Sequence, residues 1–405
     1  MMKVAFHTLG CKVNQYESDA IKEQFVALGY EIVPYADFAD IYIINSCAVT
    51  AEAERKSRQF ARQAKERNPK ARVVVMGCSS SLHPKDWHHI TDAVWGTSNR
   101  EHMAEEIFKD GIFSEDIMKA CRYEDLHLEK TPDRIRAYIK IEEGCENYCT
   151  YCTIPYVRGK IRSRGIDAIK EEARRLIQDG CREIVITGTE VASYGKDGTH
   201  DLCDVVDCID RIDGEFRIRL SSMSPVFITE KTTQRLSKAK KLCPHFHLSL
   251  QSGCDETLSR MGRKYTTSNY LEAVKLLRKY FLSPGITTDI ITGFPGETDA
   301  EFLKTKEFVK HIGFSRIHVF PYSERPGTVA ATMPGSVPVT VRKARAKELI
   351  AIGKDMEKNY LASLSGTPAT VLIEEEELSG TVGYTQHYIR VQIDGEIGTF
   401  RDIIL

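Results

Sequence analysis

Cys145, Cys149 and Cys152 fall within eight residues in a C-x3-C-x2-C pattern, directly after an alternating, strand-like run from Ile135 to Ile141. A structural zinc site wants a fourth Cys or His at a matching distance. None is near, since His127 and His200 are far off in the chain. Three thiolates suit a four-iron cube instead, holding three irons and leaving the fourth open to a small molecule. The plainer alternatives are a three-Cys zinc site and three small buried hydrophobes.

A second set of cysteines is dispersed. Val4–Leu9 is strand-like and leads to Cys11, Ile41–Ser46 leads to Cys47, and Val73–Gly77 leads to Cys78. Helix-like stretches, Ser18–Leu28 and Ala51–Arg67, lie between them. Short apolar strands alternating with helices predict a parallel sheet. Ligands of such sheets collect at the carboxyl ends of the strands, so Cys11, Cys47 and Cys78 are expected to converge. On the second helix, Arg55, Arg58, Arg62 and Lys65 recur at three- and four-residue steps opposite Phe60. This stripe is a candidate for nucleic-acid phosphates, with a solvated helix face as the alternative.

The remaining chain divides by pattern. Residues 111–133 have mixed charge and no sustained period, and read as a linker or short helix. From Arg134, six strand-like segments alternate with mostly helical gaps: Ile135–Ile141, Glu183–Thr187, Phe216–Leu220, His245–Leu250, Ile286–Ile291 and Arg316–Phe320. They predict a partial (β/α)6 barrel with active residues at the carboxyl ends of its strands. A basic helical segment, Val341–Tyr360, precedes short strands at 369–373, 380–384, 388–393 and 398–404. The expected organisation is α/β: a parallel-sheet domain (1–120), a central partial barrel (134–365) and a small all-β domain (366–405). The acidic run Glu374–Glu377 reads as a solvated turn.

Composition sets the bounds. The chain has 405 residues, 42% hydrophobic and 28% charged, an ordinary globular balance. No leader pattern or long apolar run is present, so a cytoplasmic protein without membrane contact is expected. Twelve cysteines in that setting point to metal or redox chemistry rather than disulfides. With 56 Lys plus Arg against 57 Asp plus Glu, any nucleic-acid partner must be met by a local patch. Cys203 and Cys208 read as core residues at helical spacing, and His245 and His247 as packing residues of a strand.

The C-x3-C-x2-C loop resembles the signature of the radical S-adenosylmethionine superfamily, and the whole chain resembles its methylthiotransferases. Thr8–Ser18 (TLGCKVNQYES) and Arg158–Arg164 (RGKIRSR) are similar to the branch acting on threonylcarbamoyladenosine in tRNA. The resemblance implies one [4Fe-4S] cluster on Cys145, Cys149 and Cys152, and a second on Cys11, Cys47 and Cys78. It implies S-adenosylmethionine contacts from Tyr151, from Gly188, Thr189 and Glu190 in a Gly-Gly-Glu-like motif that departs at Thr189, and from Ser221, Ser222 and Gln251. The segment Gly383–Tyr388 resembles the tRNA-gripping TRAM module.

The implied reaction inserts a methylthio group at C2 of N6-threonylcarbamoyladenosine, position 37. The radical cluster would cleave S-adenosylmethionine, the second cluster would carry sulfur, and a second S-adenosylmethionine would methylate it. The implied partners are the tRNA anticodon loop, an electron-donor protein and a sulfur source, with the chain acting as a monomer. Arg158, Lys160, Arg162 and Arg164, beside the radical motif, are expected to meet the anticodon-loop backbone. The competing readings are a sibling enzyme acting on isopentenyladenosine or a ribosomal-protein aspartate, and a non-enzymatic iron–sulfur or zinc protein that binds RNA.

Overall fold

Six parallel strands open the fold: β1 (Lys3–Thr8), β2 (Glu31–Val33), β3 (Ile41–Ser46), β4 (Arg72–Gly77), β5 (Ala93–Trp95) and β6 (Gly111–Phe113). Their order is β2-β1-β3-β4-β5-β6. The computed structural model describes residues 1–132, 135–378 and 380–405. Helix α1 (Lys12–Ala27) follows β1, α2 (Ala51–Arg67) follows β3, and α3 (Cys78–Leu82) follows β4. Local chemistry explains the bounds of α2. The Thr50 hydroxyl accepts from the Ala53 N–H at 3.1 Å, Glu52 and Glu54 occupy its first turn, and Lys65 and Arg67 its last. The segment expected as a linker is instead built in: β6 extends the sheet, and Glu124 is buried against Arg100.

The second sheet system begins with β7 (Arg136–Glu143); the expected start, Arg134, lies outside the described residues. A two-residue strand, β8 (Arg162–Ser163), runs antiparallel to it. Then come β9 (Glu183–Gly188), β10 (Arg217–Leu220), β11 (His245–His247), β12 (Gly285–Thr292) and β13 (Arg316–Pro321). Parallel pairing links β7, β9 and β10, and separately β11, β12 and β13. Isolated bridges, Ile218 to Leu242 and Met223 to Leu248, join the two halves. The six parallel strands make the partial barrel. Four of its helices start on reciprocal capping boxes, at Asp201/Asp204, Thr229/Thr232, Thr266/Asn269 and Thr298/Glu301.

A helix from Val339 to Ser363 lies along β13 and leads to the last sheet. Strands β14 (Pro368–Glu377), β15 (Gly380–Thr385), β16 (Arg390–Gln392) and β17 (Phe400–Ile404) pair antiparallel in the order β16-β15-β14-β17. Glu374–Glu377 lie in β14 rather than in a turn, and Glu374 is drawn inward by Arg136 at 2.6 Å.

One apolar core joins the first sheet to the barrel. Val4, Ile21 and Ile43 share it with Ile139, Ile186 and Leu220, all fully or almost fully buried. Each such side chain contributes roughly 1.5–3 kcal/mol relative to exposure. That shared core holds the strand ends of the first sheet against those of the barrel. Among the described residues no helix is long and apolar enough to cross a membrane.

Candidate active site

Strands β1, β3 and β4 are neighbours, so Cys11, Cys47 and Cys78 leave the sheet side by side at its carboxyl edge. The thiols of Cys11 and Cys78 both reach Asn14 Oδ1, at 3.7 and 3.9 Å. A Cβ on Gly10 would come within 3.2 Å of the Cys47 Cβ, so that turn brings Cys47 against the start of α1. Cys11 is the N-cap of α1 and makes no side-chain cap bond, which places its sulfur at the electropositive helix end. Burial pushes the Cys47 thiol up to about 12 and raises that of Cys78.

The second triplet lies in a pinched loop after β7. Gly144 has φ +90°, and a Cβ there would overlap the Lys160 carbonyl, so only glycine lets the two ends of the loop close. Cys145 N–H then donates to the Gly159 carbonyl at 3.1 Å. The middle of the loop is held from across the barrel: Thr150 N–H donates to the Met261 carbonyl at 3.0 Å, and Ala330 N–H to the Thr150 carbonyl at 2.8 Å. Arg263 donates to Cys149 Sγ at 3.2 Å, and Ile154 N–H to Cys152 Sγ at 3.4 Å. Burial pushes the thiols of Cys145 and Cys152 up to about 11 and 12.

Both donor sets fit iron–sulfur clusters. Burial keeps the thiols of Cys47, Cys78, Cys145 and Cys152 protonated, so their thiolate form needs the positive charge of bound metal. Among the described residues no three His, Cys, Asp or Glu side chains close on one point as ligands of a single ion would. Three thiolates can each bind a different corner of a cube.

A buried ion network lies beside the N-terminal triplet and reaches the turn that follows Cys152. Arg158 ends the turn that follows Cys152, and its guanidinium donates to Asn14 Oδ1 at 3.0 Å and to both oxygens of Glu17. Glu17 also accepts from Arg100 at 2.9 and 3.0 Å and from Lys140 at 3.3 Å. Burial alone would raise the Glu17 carboxyl; Arg100, Arg158 and Lys140 outweigh it and hold the group well below the usual carboxylate range.

This network corrects part of the expected RNA contact. Arg158, Arg162 and Arg164 are only 2%, 4% and 3% exposed. Arg162 pairs with Glu143 at 2.9 Å, and Arg164 with Glu172 and, at 2.8 Å, with Asp125. Desolvated and paired, they cannot face phosphates; of that run only Lys160 is an exposed cation. The stripe on α2 is also partly consumed. Arg55 is exposed but paired with Glu52, Arg58 is bound to Glu54, Lys65 to Asp92, and Arg62 remains exposed.

The residues expected around S-adenosylmethionine lie on neighbouring strand ends. Tyr151 packs edge-on to Phe294, with ring centroids 6.2 Å apart. Gly188 ends β9, the Thr189 hydroxyl accepts from the Gly144 N–H at 3.3 Å, and the buried Glu190 carboxylate accepts from the Ser224 N–H at 2.8 Å. Ser221 accepts from Lys12 at 3.4 Å, Ser222 lines a cavity in the barrel, and Gln251 sits at φ +69°, bridged to β12 at Ile290. Glu142 and Arg263 were not anticipated. Glu142 Oε1 accepts from the Glu190 N–H at 2.5 Å while its Oε2 is buried without a partner, and burial pushes its carboxyl up to about 8. The signal for Asn14 was available, since it stands three residues after Cys11 on the same helical face.

Similarity to known proteins agrees with this geometry. The profile of the Radical SAM superfamily matches residues 139–309, and that of the Uncharacterized protein family UPF0004 matches residues 3–96. The chain is 38% identical over its whole length to a threonylcarbamoyladenosine tRNA methylthiotransferase, MtaB, of Thermotoga maritima, covering 94% of that protein. It is 39% identical over 98% of its length to the MtaB of Bacillus subtilis, covering 91% of it. The chain belongs to the radical S-adenosylmethionine methylthiotransferase family. Membership brings S-adenosylmethionine and [4Fe-4S] clusters as cofactors of this methylthiotransferase. Its fold is also that of a radical S-adenosylmethionine methyltransferase, TsrM of Kitasatospora setae, at TM-score 0.61 and 13% identity over 82% of this chain and 77% of that one.

Proposed function

We propose that this methylthiotransferase replaces the C2 hydrogen of N6-threonylcarbamoyladenosine at position 37 of tRNA with a methylthio group. The observation that supports the proposal is two cysteine triplets on separate strand ends, with Arg158, which closes the turn after Cys152, bound to Asn14 and Glu17 beside the other triplet. Two separate cluster sites suit a reaction with two tasks, activating a C–H bond and delivering sulfur. The C2 hydrogen has no useful acidity and no leaving group, so acid–base and nucleophilic groups have little to act on. When bound, the clusters and S-adenosylmethionine supply the radical and sulfur chemistry.

The chain's own residues hold and orient. Cys145, Cys149 and Cys152 would ligate one cluster, and Cys11, Cys47 and Cys78 the other. Glu142 and Glu190 form an acidic cradle for the cofactor's ammonium group, which would supply the partner that Glu142 Oε2 lacks. Tyr151 and Gln251 would line the same mouth, and Gly188, Thr189, Ser221 and Ser222 would complete its rim. Of the residues expected to meet RNA, Lys160 and Arg62 are exposed and available to tRNA phosphates, with the terminal β sheet as a further contact surface. The enzyme works in the cytoplasm as a monomer, with a protein electron donor and a sulfur source.

The test is mass spectrometry of nucleosides from tRNA bearing threonylcarbamoyladenosine, after incubation with reconstituted protein, dithionite and S-adenosylmethionine. A mass gain of SCH3 replacing H on that nucleoside is expected. Formation of 5'-deoxyadenosine without that gain would reject the substrate.

A further inference from the structure

A cavity of about 640 Å³ lies within the barrel, lined by Lys12, Ser222, His245, Asp289 and, from the terminal sheet, Tyr388. Arg316 and Arg390 on its walls pair with Glu357 and Glu377, and Asp289 faces the His247 imidazole at 3.2 Å. The Lys12 ammonium donates to the Ser221 hydroxyl at 3.4 Å and, among the described residues, has no ion-pair partner. Nearby, Arg136, Arg217 and Arg219 share Glu183 and Glu374, three cations on two anions. The wall around Lys12 therefore carries surplus positive charge. His245, buried on that cavity, leaves both ring nitrogens without a partner, and burial keeps it neutral.

We infer that this cavity is the specificity site for the threonylcarbamoyl group, with Lys12 pairing its carboxylate and His245 hydrogen-bonding its hydroxyl, an inference that rests on the substrate proposed above. A buried, unpaired imidazole is costly when nothing answers it, and surplus positive charge on a cavity wall favours an anion. A small acid bearing a hydroxyl answers both. An apolar N6 substituent would fill the same space and leave both groups unpaired, so the site selects against it. Lys12 follows Cys11 directly, which seats the acidic side chain beside the N-terminal triplet.

The test reads binding without turnover. Dissociation constants of the reconstituted protein are measured for an anticodon stem-loop carrying threonylcarbamoyladenosine and for the same stem-loop with the carboxylate replaced by a carboxamide. The wild type is expected to prefer the acid by about 10–100-fold, the factor for a charge-assisted hydrogen bond. Lys12→Met should abolish the preference, and Lys12→Arg should retain part of it. Equal affinities in the wild type, or equal weakening of acid and carboxamide in Lys12→Met, would overturn the site. Tight, acid-selective binding without methylthiolated product would count against the proposed reaction and leave the site standing.

Discussion

Replacing Glu17 by glutamine keeps the shape of the side chain and removes the charge that three buried cations share. Arg100 would still have Glu124, and Lys140 would still have Glu143. Arg158 has no other carboxylate among its described partners and would keep only neutral ones, Asn14, Cys78 and the new amide oxygen. The cost is therefore that of about one orphaned buried charge, roughly 3–5 kcal/mol. With a urea m-value on the order of 2–3 kcal/mol/M, the unfolding midpoint should fall by about 1–2 M. A double-mutant cycle isolates the pair: once Arg158 is methionine, Glu17→Gln should cost distinctly less than in the wild type. The sign with pH follows from the depressed carboxyl. Its stabilisation is fully present above the unfolded value of about 4.3 and is lost as pH falls through the lower folded value. Glu17→Gln should therefore differ most from wild type at neutral pH and least in acid. A midpoint shift below about 0.3 M, or strict additivity with Arg158→Met, would refute a network held by Glu17.

The two triplets should separate functionally. Cys149→Ala should abolish 5'-deoxyadenosine formation, whereas Cys11→Ala should retain it and lose the methylthiolated nucleoside; equal loss of both products in both variants would refute two distinct clusters. Iron analysis after anaerobic reconstitution should give about eight irons per chain in the wild type and about four in either variant. Lys160→Ala and Arg62→Ala should each weaken tRNA binding and lower the salt slope by about one, while Arg162→Ala should destabilise the fold instead. Unchanged salt slopes for the first two would remove those side chains from the interface.

The elements were legible where local chemistry sets them. Ala51–Arg67 is helical over its expected span because Thr50 caps it and its end charges suit the dipole. The six barrel strands stood out as short runs, and the cysteines followed because Cys47 and Cys78 directly succeed strands and Cys11 and Cys145 come within three residues of one. Distant partners were invisible. Arg158, Arg162 and Arg164 look like a basic patch in the chain, and their burial depends on Glu17, Glu143 and Glu172, which the fold delivers from α1, β7 and a barrel helix. Glu374 misled for the same reason, since its partner Arg136 lies on β7. The strand β6, three residues long, has no period to detect.

The most direct test of the proposed reaction uses tRNA whose threonylcarbamoyladenosine carries deuterium at C2. Deuterium should appear in 5'-deoxyadenosine, with the nucleoside gaining SCH3 in its place. Methylthiolated product with the C2 deuterium retained, or 5'-deoxyadenosine that stays unlabelled while product forms, would contradict attack at that carbon.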